Sequence, residues 1–102
     1  METLIANKPV ELNEQGYMLN MDQWDEDIAR SIAEEEGIEL TNRHFEVLNF
    51  LRKEQGKGTA LSIRKIGKSG VVDIKEFYAL FPEGPLKKAS KIAGIPKPAS
   101  CI

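Results

Sequence analysis

Apolar side chains recur every four positions at Trp24, Ile28 and Ile32, and each later run of this kind is closed by a glycine or a proline, at Gly56, Gly67, Pro82 and Gly94. A helical period interrupted so regularly leaves room for a series of short amphipathic helices, each burying one stripe against its neighbours. Asp22 is placed to cap the first, Asp25 and Glu26 favour its positive end, and Gly37 stops it. Thr41 caps a second, in which Phe45, Leu48 and Leu51 or Arg52 alternate between buried stripe and wet face until Gly56. Ala60, Ile63 and Ile66 mark a short third helix with Arg64 and Lys65 on its other face. Asp73 with Glu76 three residues on forms a capping-box-like start for a fourth, which Pro82 stops. Pro85 suits the first position of a last helix, Leu86 to Ala93, and Gly94 its carboxyl cap.

The first twenty residues obey a different period. Thr3 to Ala6, Val10 to Leu12 and Tyr17 to Leu19 are brief apolar runs set apart by the Asn7-Lys8-Pro9 turn and by Gly16, the pattern of a small β-meander. Pro9 cannot donate to a ladder, so the second run begins there or lies at an edge. The expected fold class is therefore α+β, a mostly helical array with a small N-terminal β-meander and a flexible C-terminal arm. With 102 residues, 41% apolar and 29% charged, the chain suffices for one core. Residues 1–94 are expected to form that domain, with the meander over 1–20, helices over 22–94 and an arm over 95–102.

Several function classes are excluded at this level. No run approaches the ~18 apolar residues of a membrane span, and Met1-Glu2-Thr3-Leu4 lacks the basic and greasy regions of a signal peptide, so the chain is expected in the cytoplasm. One cysteine, Cys101, forms no internal disulfide and no zinc site by itself, and the single histidine, His44, forms no imidazole cluster. His44 reads as a packing or surface residue. Gly67-Lys68-Ser69 resembles the end of a phosphate loop, but Ser62 stands where its first glycine is required. No cofactor and no metal are expected.

Charge divides the chain. Residues 1–50 hold 3 Lys/Arg against 12 Asp/Glu, and residues 51–102 hold 11 against 4. The two halves attract each other, or the basic half meets an anionic partner such as RNA or an acidic protein face. The glycine corner before the third helix has something of a helix-turn-helix, which keeps a nucleic-acid-binding module among the alternatives. After Gly94 the sequence Ile95-Pro96-Lys97-Pro98-Ala99-Ser100-Cys101-Ile102 has two prolines in three residues, so an extended polyproline-like arm is expected. A lone cysteine is ordinarily an inert small hydrophobe. At the tip of a polar arm, Cys101 is instead placed to enter another protein's cleft.

The run Leu80-Phe81-Pro82-Glu83-Gly84-Pro85, the segment Lys91-Ile92-Ala93-Gly94-Ile95-Pro96-Lys97-Pro98 and Cys101 next to the last residue resemble the DsrC/TusE family of sulfur-relay proteins. Gly16-Tyr17, Trp24, Leu40-Thr41 with His44, Asn49-Phe50-Leu51-Arg52 and Arg64 extend the resemblance over nearly the whole chain. The family includes the gamma subunit of dissimilatory sulfite reductase and the TusE component of tRNA thiolation. The resemblance implies a helical domain with a mobile arm, and Cys101 as a sulfur carrier that holds a persulfide. It places Arg64 close to Cys101 as the cation that stabilises the thiolate, with Lys91 and Lys97 as second choices.

Two departures from the family pattern stand out. Ser90 occupies the position of the second cysteine found in members that serve sulfite reductase, and the stretch between Arg64 and Phe81 is several residues shorter. The function implied is acceptance of sulfane sulfur on Cys101 and its passage to a partner protein, either a tRNA-thiolating enzyme or sulfite reductase. A non-catalytic subunit or regulator of a sulfite reductase is the alternative within the family. Contact with nucleic acid would be indirect and contact with a membrane absent.

Overall fold

Ala6 and Asn7 both take the left-handed conformation, with φ of 53° and 65°, and this two-residue turn folds the amino terminus into an antiparallel hairpin. Its strands are β1 (Glu2–Ile5) and β2 (Lys8–Glu11), in a register that sets Leu4 opposite Pro9. The third apolar run adds only an isolated bridge between Leu12 and Met18. The meander is thus a hairpin with one further bridge. The computed structural model describes residues 2–58 and 61–97.

Five helices follow: α1 (Glu26–Glu35), α2 (Asn42–Gly56), α3 (Ile63–Gly67), α4 (Ile74–Leu80) and α5 (Pro85–Ile92). Side-chain caps explain most of their starts. Thr41 Oγ1 accepts from the His44 amide, and the His44 ring closes the capping box from the other side, Nδ1 accepting from the Thr41 amide at 3.1 Å. With Nδ1 an acceptor, Nε2 carries the proton and donates to the Leu80 carbonyl at 2.9 Å. The only histidine is therefore spent on tying α2 to the end of α4, in edge contact with Phe81.

One expected cap falls elsewhere, and one capping box is only half formed. Asp22 does not cap α1: Asn20 accepts from the Asp22 amide and starts a single 3₁₀ turn, Met21–Gln23, and Asp25 caps α1 by accepting from Ile28 at 2.9 Å. Trp24 consequently lies ahead of the helix. Asp73 does accept from the Glu76 amide at 2.7 Å, but the Glu76 carboxylate turns away to meet Arg43. That guanidinium forks onto both Glu76 oxygens at 2.6 and 2.7 Å, reaches Glu46 at 2.6 Å and donates to the Val71 carbonyl, which binds α2 to α4.

The core gathers around α5, which packs on α1, α2 and α4. Leu86, Ala89, Ile92 and Ala93 meet Ile28, Leu48, Leu51, Phe77 and Phe81 in one buried cluster, and Ile95 belongs to it with no exposed surface. Ile95 is thereby an apolar anchor of the body. Expectations for Ala60 and for residues 98–102 lie outside the described residues.

The Arg43 fork holds the Glu76 carboxyl below its ordinary 4.5, and hydrogen bonding to Lys8 holds Asp25 below its ordinary 3.8. A carboxyl depressed in the folded state adds stability above its unfolded pKa, and the contribution is lost as pH falls through the folded value. Stability should therefore be level above about pH 5 and decline below it. In Arg43→Gln, thermal midpoints measured against pH should show a shallower acid limb. An acid limb unchanged in that variant would assign the decline to other carboxyls.

Candidate functional site

The helix that leads toward Cys101 ends in a closed turn. Gly94 is left-handed with φ of 68°, its amide bonds to the Lys91 carbonyl at 3.2 Å, and the Ile95 amide bonds to the Ser90 carbonyl at 3.2 Å. This is a Schellman motif, and the burial of Ile95 supplies its apolar contact. Two end carbonyls remain, and side chains from outside α5 take both. Trp24 Nε1 donates to Ile92 O at 2.7 Å, and Arg52 Nη1 donates to Ala93 O at 2.9 Å. Arg52 Nη2 reaches back to Met21 O at 2.8 Å, and its guanidinium lies over the Trp24 ring, 4.3 Å from the centroid. Every carbonyl that the helix end leaves open is thus satisfied. Burial pushes the Arg52 guanidinium down from its ordinary value, with Asp22 acting in the opposite direction.

The described residues among those singled out from the sequence lie on α3, on α5 and just after α5. Ser90 and Lys91 are neighbours on α5. Lys91 Nζ lies 5.5 Å from the centre of the Tyr17 ring, a cation–π contact beside Gly16. Arg64 is exposed on α3, whose main packing partner is α4, and its guanidinium has no hydrogen bond or ion pair among the described residues. Lys97 is exposed. Cys101 lies outside the described residues. Lys91 and Ser90 thus sit together, and Arg64 stands apart from them on another helix. No group of three or more His, Cys, Asp or Glu side chains suited to a metal ion occurs among the described residues.

Ser90 is fully buried, and its hydroxyl has no hydrogen-bond partner among the described residues. A buried polar atom without a partner carries its desolvation cost uncompensated. Ser90→Ala should therefore raise stability by about 1 kcal/mol, combining the removed hydroxyl with the better helix propensity of alanine. Urea midpoints read this directly, and a loss of stability would mean that the hydroxyl is bonded in solution.

Arg52 and Trp24 are the residues that sequence reasoning left without a role. Periodicity places both on helix faces, whereas each acts on the end of a helix far along the chain. The available signal was an arginine and a tryptophan on otherwise apolar stripes, in a chain with one Trp.

Fold and site together define a class: a small α+β protein whose central helix ends in a fully capped turn, with the chain's only cysteine following in sequence. Comparison with known proteins specifies it further. Residues 4–102 match the family model described as DsrC like protein. The protein named Sulfurtransferase TusE homolog from Haemophilus influenzae is 44% identical over 101 residues, which span 91% of this chain and 93% of that one. The solution structure of Allochromatium vinosum DsrC superposes with a TM-score of 0.83 at 31% identity, covering 100% of both chains. The crystal structure of the oxidized gamma-subunit of the dissimilatory sulfite reductase (DsrC) from Archaeoglobus fulgidus gives a TM-score of 0.81 at 32% identity, again covering 100% of both. The chain belongs to the DsrC-like family. A nucleic-acid-binding reading of the basic half is not favoured by these relatives.

Proposed function

We propose that this protein is a sulfur carrier that takes up sulfane sulfur as a persulfide on Cys101 and hands it to a partner protein. The observation that carries the reading is a family match that runs through residue 102, shared with a relative named as a sulfurtransferase, in a chain with one cysteine. In the loading step the Cys101 thiolate attacks the outer sulfur of a donor persulfide. A new sulfur–sulfur bond forms to Cys101, the donor's own sulfur–sulfur bond breaks, and the donor leaves as a thiolate. The proton on the outer sulfur stays with it, so no oxidant or reductant enters. Unloading repeats the step with Cys101 as leaving group. The relative that is a gamma-subunit of the dissimilatory sulfite reductase supports sulfite reductase as one class of acceptor, and a tRNA-thiolating enzyme is the other.

A cysteine thiol titrates at about 8.5 when unperturbed, so loading at neutral pH gains from a nearby cation. Arg64 suits that role because its guanidinium is exposed and has no partner among the described residues. Lys91 is the weaker choice, since its ammonium already lies over Tyr17. Intact-mass measurement after incubation with a persulfide donor tests the reading. The reduced chain should gain one sulfur atom that dithiothreitol removes, and a chain first alkylated at Cys101 should gain none. A native chain that stays unchanged would end the carrier reading. In Arg64→Ala the pH profile of Cys101 alkylation should move upward with helical circular dichroism unchanged, and an identical profile would remove Arg64 from the site.

A further inference from the structure

We infer that Arg52, with Trp24 behind it, is a positioning residue that fixes the direction in which the chain leaves α5 toward Cys101. The Gly94–Ile95 turn already ends the helix, because it bonds the Ser90 and Lys91 carbonyls without help from any side chain. What Arg52 and Trp24 add is a second, polar attachment to the body beside the buried Ile95. Arg52 bridges Ala93 on α5 and Met21 in the segment before α1, and Trp24 holds Ile92 from that same segment. Three parts of the chain, α2, the 21–24 segment and the end of α5, are locked at one point.

The chemistry of that point argues against mere filling. Arg52 is half-buried and directs its donors to two carbonyls, with no carboxylate among its ion-pair partners in the described residues. A partly desolvated guanidinium whose nearby carboxylate, Asp22, is not hydrogen-bonded to it is a costly way to cover a tryptophan, and a methionine or leucine would cover it more cheaply. The planar fork does what an apolar side chain does not: it holds two carbonyls from different segments at a set angle.

Leverage gives the angle its importance. Six residues separate Gly94 from Cys101 in the sequence, and two of them, Pro96 and Pro98, are of the type that favours an extended course. A change of direction at the root is carried into the segment that leads to the sulfur, and sulfur-to-sulfur attack in a partner's cleft depends on the direction of approach. For that chemical consequence the inference rests on the carrier reading. For the geometry it does not.

The test separates the two. Cys101 is the only cysteine, so a nitroxide there and a second at Glu34→Cys, on the exposed side of α1, report the direction of the segment by pulsed electron spin resonance. Arg52→Met keeps a side chain over Trp24 and loses both hydrogen bonds, and Trp24→Phe loses only the indole donor. Both should broaden the distance distribution, Arg52→Met the more, with helical circular dichroism retained. Without labels, sulfur transfer from a persulfidated rhodanese to Arg52→Met should fall about tenfold relative to loading from glutathione persulfide, because only a protein donor demands a set approach. A distribution unchanged in both variants overturns the inference, as does an equal slowing with the two donors. A broadened distribution in a protein that neither donor loads, native chain included, sustains the positioning role and ends the carrier reading instead.

Discussion

Gly94→Ala should destabilise this protein by roughly 2–5 kcal/mol, an unusually large effect for one added carbon, because two costs coincide. The position is left-handed, with φ of 68°. A Cβ there would also lie 2.4 Å from Trp24 Cδ1, 2.8 Å from Trp24 Cγ and 2.8 Å from Met18 Sδ. The indole has little freedom to withdraw, held as it is by its bond to Ile92 O and by the guanidinium over its face. Gly84 provides an internal control. It is equally left-handed, with φ of 88°, but a Cβ there meets nothing within 4 Å. Gly84→Ala should therefore cost only the backbone component of about 1–2 kcal/mol. Chemical denaturation of the two variants isolates the packing cost as their difference, and equal losses would mean that the Trp24 wall yields.

Complete loss of sulfur loading is expected from Cys101→Ala, since no other side chain in the chain bears a thiol. Intact-mass analysis after donor treatment should show the variant unchanged while the native chain gains sulfur. Any sulfur retained by Cys101→Ala would place the acceptor atom elsewhere and sink the single-site scheme. Oxidation of the native chain should correspondingly yield disulfides between two chains or adducts with a partner, and never a crosslinked monomer, because the Ser90 hydroxyl forms no stable bond to sulfur.

Local signals in the sequence carried most of the architecture. Thr41, Asp73, Pro85 and Gly94 each stand where the structure uses them, because caps and stops act over three or four residues and are written in adjacent letters. Failures came where distance decides. Asp22 and Asp25 are equivalent by composition, and Lys8, brought alongside by the hairpin, pairs with Asp25. Glu76 is three residues past Asp73, as a capping box requires, yet Arg43 from another helix outbids the local amide for its carboxylate. The site divides in the same way. The family motif singles out Cys101 and Ser90 as candidates, whereas Arg52 acts on residues 31 and 41 positions away, a relation that no window along the sequence contains.

The sealed position of Ser90 bears on how a chain with a thiol there would behave. With no surface exposed and α5 packed on three other helices, a sulfur introduced by Ser90→Cys would be shielded from dissolved thiol reagents while the helix stays seated. In a chain that also carries Cys101→Ala, alkylation would reach it only in molecules whose α5 has momentarily lifted, so labelling would proceed at a rate set by the local opening equilibrium. The same opening exposes the α5 amides to solvent deuterium. Conditions or partners that speed exchange at α5 should thus speed the labelling in proportion, making residue 90 a gauge of how firmly the central helix is held.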